Sequence, residues 1–152
     1  MAGRFPHHYS FRSEWDLGAS ASEVFDVLAD LGSYPAWWPQ VRSIRQVAED
    51  AAELVCRSVL PYDLVFRASH ERKDKAAGEL RARLTGDLDG YAGWTIEPRG
   101  HGTRLVFTQG VEVTKPLLRR LGLIARPALL VNHELMMRQG RRGLRTLLAP
   151  PS

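Results

Sequence analysis

The stretch from Leu17 to Val41, LGASASEVFDVLADLGSYPAWWPQV, changes character twice, and those changes decide how the rest of the chain folds. Ser20 followed three positions later by Glu23 forms a capping box, in which the two side chains satisfy backbone N–H groups that a helix start leaves free. Val24, Phe25, Val27, Leu28 and Leu31 then recur along one helical face, so a short amphipathic helix is predicted. From Asp30 that pattern breaks. Gly32, Pro35 and Pro39 crowd around Tyr34, Trp37 and Trp38, and because prolines remove backbone donors and fix φ, only a second short helix or helical turn fits.

Upstream of this stretch, Tyr9, Phe11, Ser13, Trp15 and Leu17 alternate with Ser10, Arg12, Glu14 and Asp16, the period of a strand with one face buried. Downstream, residues 41–113 read as strand after strand, with turn signals at AEDAAE, LPYD, DKAAGE, LDG and PRGHG. Leu54, Cys56, Ser58 and Leu60 share one face, as do Leu64, Phe66, Ala68 and His70. Leu80, Ala82 and Leu84, then Ala92, Trp94 and Ile96, then Leu105, Phe107, Gln109, Val111 and Val113 continue that inner surface. Thr114 is a plausible N-cap with Pro116 just inside a helix. Leu129, His133, Met136, Met137, Leu144 and Leu147 recur at helical spacing, which predicts a long helix over most of 127–148, broken from its start near Gly122 to Pro127. The expected fold is α+β: a curved antiparallel sheet of about six or seven strands around a long C-terminal helix, with two short helices after the first strand. It forms one domain over residues 1–152, with residues 1–8 as a flexible end.

The composition, with 44% hydrophobic and 25% charged residues, is that of a folded globular chain rather than a disordered one. Cys56 is the only cysteine, which excludes an internal disulfide and every multi-cysteine zinc pattern and leaves a small buried hydrophobe as its plainest role. No run approaches the roughly 18 apolar residues of a membrane span, and no secretory leader is evident, so the cytoplasm is the expected location. The net charge of +4 is uneven: from Lys115 onward eight Lys and Arg stand against Glu134 alone. That basic helix suits a peripheral contact with anionic membrane or an acidic partner, or is simply a solvated face.

In its order of elements, and in Ser22–Val41 with Val24, Phe25, Asp30, Tyr34, Pro35, Trp38 and Pro39 as spaced here, the chain resembles the START-like superfamily of the polyketide cyclase/dehydrase and lipid transport type. GWTIEPRGHGTRLVFTQ, at Gly93–Gln109, is similar to that family's last hairpin. The resemblance implies a helix-grip fold with a deep cavity between sheet and helix, and no single chemistry.

The residues narrow the chemistry further. Glu14, Asp16, Glu71, Glu79, Glu97 and Glu112 fall on the faces opposite the apolar rows, which speaks against a carboxylate-pair enzyme. The five histidines, at 7, 8, 70, 101 and 133, lack metal-ligand spacing, and no metal or cofactor motif is present. Nucleic-acid binding is not expected, because the aromatics sit at inward positions while the arginines gather elsewhere. Three polar groups interrupt apolar faces: His70, Gln109 and His133. Each needs a protein partner or a ligand once buried.

With Ala68, Ala82, Ala92 and Ser58 too small to fill the space beneath a long helix, a cavity of at least about 300 Å³ is expected. Its candidate ligand-binding residues are Trp37, Trp38, Phe66, His70, Trp94, Gln109, His133 and Met137. Trp37 and Trp38 suit either a lid or a pin that holds the short helix to the sheet. Three functions fit this reading: a binder of a hydrophobic small molecule, an aromatase or cyclase using His70 or His133 as acid or base, and a lipid shuttle. The shuttle would dock through Arg119, Arg120, Arg126, Arg138, Arg141, Arg142 and Arg145 with Leu117, Leu118, Leu121, Leu123 and Ile124. No residue is marked as catalytic by a local motif.

Overall fold

The computed structural model describes residues 8–57, 63–121 and 124–149. Seven strands form one antiparallel sheet: β1 (His8–Leu17), β2 (Val41–Ala48), β3 (Ala51–Arg57), β4 (Asp63–Asp74), β5 (Glu79–Gly86), β6 (Leu88–Arg99) and β7 (Gly102–Val113). Their order is β1-β7-β6-β5-β4-β3-β2, so every neighbouring pair is a hairpin except β1 with β7. The alternation that predicted the strands sets the buried face: Leu54, Cys56, Leu64, Phe66, Ala68, Leu80, Leu84, Trp94, Ile96, Leu105 and Phe107 all point to one core.

Helix α1 (Ala21–Ala29) starts where the capping box places it, with the Glu23 amide donating to Ser20 Oγ at 3.2 Å. A single 3₁₀ turn (Leu31–Ser33) leads into α2 (Tyr34–Trp37), the short element that the prolines permit. After β7 come α3 (Pro116–Leu121) and the long helix α4 (Arg126–Leu148), broken from each other as the sequence predicts. Among the described residues no helix is long and apolar enough to cross a membrane.

Helix α4 lies close on α2 because it presents glycines there. A β-carbon on Gly140 would stand 2.6 Å from the Trp38 ring, and one on Gly143 would stand 1.6 Å from the Trp37 carbonyl oxygen. Trp38 fastens the contact, its Nε1–H donating to the Met136 carbonyl at 2.8 Å. Beneath it Trp15, Tyr34, Trp94 and Phe107 pack ring against ring, with centroids 4.7 to 6.2 Å apart along the cluster.

Three local expectations differ from the structure. His8, assigned to the loose end, opens β1 opposite Glu112, because the apolar alternation on β1 carries the ladder that far. The turn expected at LDG falls one residue earlier, at Asp87, whose carboxylate accepts from the Val65 amide at 2.9 Å and so holds the reversal. Thr114 spends its hydroxyl on the Gly86 carbonyl, tying β7 to that reversal. Ser58 and Leu60 lie outside the described residues.

Candidate functional site

Two cavities lie under α4, side by side. The first, about 100 Å³, is lined by Phe66 and Ala68 of β4, Ala82 and Ala92 across the β5–β6 ladder, Trp94, and Tyr34 and Trp38 from the α2 segment. The second, about 70 Å³, lies between Tyr9 and Phe11 of β1 and Leu129, Asn132 and His133 of α4. Cys56, Phe66, Gln109 and Met136 line both, and so mark where they meet. Each falls below the expected volume, because the tryptophan cluster and a stacked histidine fill what the alanines leave open.

Of the eight candidate residues, Trp38, Phe66, His70, Trp94, Gln109 and His133 line one cavity or both. Trp37 and Met137 do not. Trp37 is buried beneath Gly143 of α4 with its indole N–H unpartnered, the pin rather than the lid. Met137 is buried but points towards β1, where it borders a cleft with Ser13, Trp15 and Arg138, and the half-buried Met136 lines the cavities in its place. Adjacent helical residues point about 100° apart, and the docking of Gly140 and Gly143 fixes which methionine meets the cavities and which packs towards β1. The row Leu129, His133, Met136, Gly140 has the i, i+4, i+7, i+11 spacing of one face, a signal by which Met136 was findable. Tyr34 and Leu31 also line the first cavity; the sequence marks one as part of the proline-rich turn and the other as part of a helical face, and aims neither at the cavity.

The polar groups are mostly committed. Tyr34 donates its hydroxyl to the Leu28 carbonyl at 2.7 Å and accepts from Trp94 Nε1 at 3.2 Å, and burial pushes its pKa well up. The Cys56 thiol is pushed up to about 12, by burial first and by Asp63 second, so it is an inert apolar wall rather than a nucleophile. His133 lies flat on Phe11, centroids 3.5 Å apart, and its Nε2–H donates to Gln109 Oε1 at 3.1 Å. Burial lowers the pKa of that imidazole to about 4, so it is neutral at physiological pH.

His70 is the exception. Its Nε2–H donates to the Ala29 carbonyl at 3.2 Å, while Nδ1 is buried with no partner. The carboxylates meanwhile face water, as Arg12–Glu14, Arg81–Glu71 and Arg119–Glu112 pairs illustrate. Among the described residues no three His, Cys, Asp or Glu side chains gather as a metal site would require. The arrangement can hold an apolar molecule and offer it few, fixed polar contacts.

Comparison with solved structures identifies the architecture. A protein from Thermus thermophilus superposes with a TM-score of 0.74 at 20% identity, covering 91% of this chain and 99% of that one. The Zhui aromatase/cyclase from a Streptomyces species gives 0.77 at 16% identity, over 93% of this chain and 94% of that one. A START superfamily protein from Mycobacterium smegmatis gives 0.70 at 19%, over 93% and 97%. At these identities the likeness establishes the fold, which is the helix-grip, START-like fold. No curated protein matches the chain. The family described as polyketide cyclase/dehydrase and lipid transport matches residues 8–148, nearly the full length, and the chain belongs to that family.

Proposed function

We propose that this protein binds a hydrophobic small molecule, lipid-like or polyketide-like, in the paired cavities between the sheet and α4. One observation carries the reading: two apolar spaces share Cys56, Phe66, Gln109 and Met136, in a core that otherwise packs ring on ring. Met136 stands at their junction, and a thioether with three rotatable bonds can move aside for a ligand larger than either space. Trp38, Phe66 and Trp94 supply flat apolar contact, and His70, Gln109 and His133 supply orientation.

Native mass spectrometry of protein taken from its own host tests this directly, with a co-purifying small-molecule mass expected. Met136→Trp, which fills the junction, should lose that mass and weaken binding of added hydrophobic compounds at least tenfold while the fold persists. A wild-type protein that carries no mass and binds no hydrophobic compound would refute the reading.

Likeness to the Zhui aromatase/cyclase favours a second reading, catalysis on a ligand in the same cavities. His133 suits acid catalysis poorly, being neutral and bonded to an amide rather than to an orienting carboxylate. A lipid shuttle is the third reading. It rests on Ile124, Leu130 and Val131, which are exposed near the basic residues of the last helices.

A further inference from the structure

The first cavity is walled from solvent partly by His70 and Leu31, and both also line an outer cleft of about 220 Å³. Asp30, Glu49, Asp50 and Lys73 border that cleft, so three acids and one lysine stand on the outer side of that wall. Lys73 stands 3.7 Å from Asp50 and is held by it.

His70 holds the inward place that follows Leu64, Phe66 and Ala68, just before an irregularity in its strand. The β4–β5 ladder runs from His70 opposite Ala82 directly to Arg72 opposite Arg81, so Glu71 is an extra residue and the strand bulges there. The ring hangs from the Ala29 carbonyl through Nε2–H, and Nδ1, a lone-pair acceptor whenever a ring tethered in this way is neutral, is buried without a partner on a residue that lines the cavity. A desolvated acceptor without a partner is costly, and most buried polar atoms in folded proteins find one. The aromatic donors of the same cavity are spent elsewhere: Tyr34 and Trp94 bond the backbone and each other, and Trp38 bonds Met136.

We infer that His70 selects the ligand, accepting at Nδ1 a hydrogen bond from a hydroxyl or N–H on an otherwise apolar, uncharged molecule, and that carboxylate ligands are rejected. The inference rests on the reading of the cavity as a ligand site. A carboxylate would meet the acids of the cleft first and then a lone pair rather than a donor. Arg81, the charged residue that reaches the first cavity, has its guanidinium 4.1 Å above the Tyr91 ring and 3.5 Å from Glu71. An anion drawn into that space would lose its hydration without gaining a free cation.

Amide NMR spectra of the full chain, titrated with para-ethylphenol, para-ethylanisole and para-ethylbenzoate, test it. The first two differ only in whether the oxygen carries a proton or a methyl group. The phenol should bind about tenfold tighter than the anisole, the worth of one hydrogen bond in a dry site, and the benzoate weakest of the three. His70→Phe should keep a dispersed native spectrum, bind the anisole at least as well as the wild type does, and lose the preference for the phenol. His70→Gln, with an amide oxygen to accept, should recover part of that preference.

Equal binding of phenol and anisole by the wild type, survival of the preference in His70→Phe, or tightest binding of the benzoate would each overturn the inference while leaving the cavity a ligand site. Failure of all three to bind would instead remove the underlying reading, and this inference with it.

Discussion

With its pKa lowered to about 4 from an ordinary 6.5, His133 is a buried base whose protonation the native state resists. The unfolded chain, where the ring is solvated, takes up a proton as the pH falls through about 6.5. Between the two pKa values the unfolded state therefore binds more protons than the native state, and stability falls with falling pH. The penalty is absent above pH 7 and complete near pH 4, where it is on the order of 3 kcal/mol. Urea titrations of the wild type and of His133→Leu should diverge across that window, the variant losing less stability on acidification. Parallel curves would mean that the ring reaches water, and that Gln109 and Phe11 do not enclose it.

Helix α4 meets α2 backbone to ring, and the contact depends on what is missing from two of its residues. Alanine in place of a helical glycine ordinarily stabilises by up to about 1 kcal/mol. At Gly143 the sign should reverse, because the added methyl would overlap the Trp37 carbonyl oxygen and drive the two elements apart. Gly143→Ala is expected to lose about 2 kcal/mol in chemical denaturation, within the usual range for overpacked sites, and Gly140→Ala to lose less because the Trp38 ring can tilt. This docking also explains which parts of the site were legible in the sequence. Alternation gave the inward faces of β4, β6 and β7 and hence Phe66, His70, Trp94 and Gln109. It gives a face and never a partner, so the pairing of β1 with β7 and the bulge beside His70 were not readable. The choice between Met136 and Met137, and between Trp38 and Trp37, turns on how α4 and α2 are rotated against each other. Two glycines set that rotation through a contact far apart in sequence.

The whole molecule uses much of its basic C-terminal charge internally. Arg119 donates to Glu112 at 3.1 Å, Arg126 to the His8 carbonyl at 3.0 Å, and Arg145 to the Asp16 carbonyl at 2.9 Å, while Arg138 pairs with Glu134. The side chains of Leu117, Leu118 and Leu121, and all of Leu123, lie outside the described residues. Arg120, Arg141 and Arg142 remain for an outside surface, worth roughly 3 kcal/mol against anionic lipid at about 1 kcal/mol each. At low salt a minor fraction should float with anionic vesicles and none with neutral ones. Raising the salt or introducing Ile124→Asp should abolish even that, and a protein that never floats would retire the shuttle reading. The strand order has a consequence in time rather than in space. Five of the six strand pairings join sequence neighbours and can zip up as successive hairpins, whereas β1 must wait for β7, about a hundred residues downstream between His8 and Glu112. On the ribosome β1 emerges early, with Tyr9, Phe11 and Trp15 still bare, and its partner is among the last strands made. The β1 wall of the second cavity and one ring of the aromatic cluster therefore settle only once β7 is made, and until then this chain carries Tyr9, Phe11 and Trp15 uncovered.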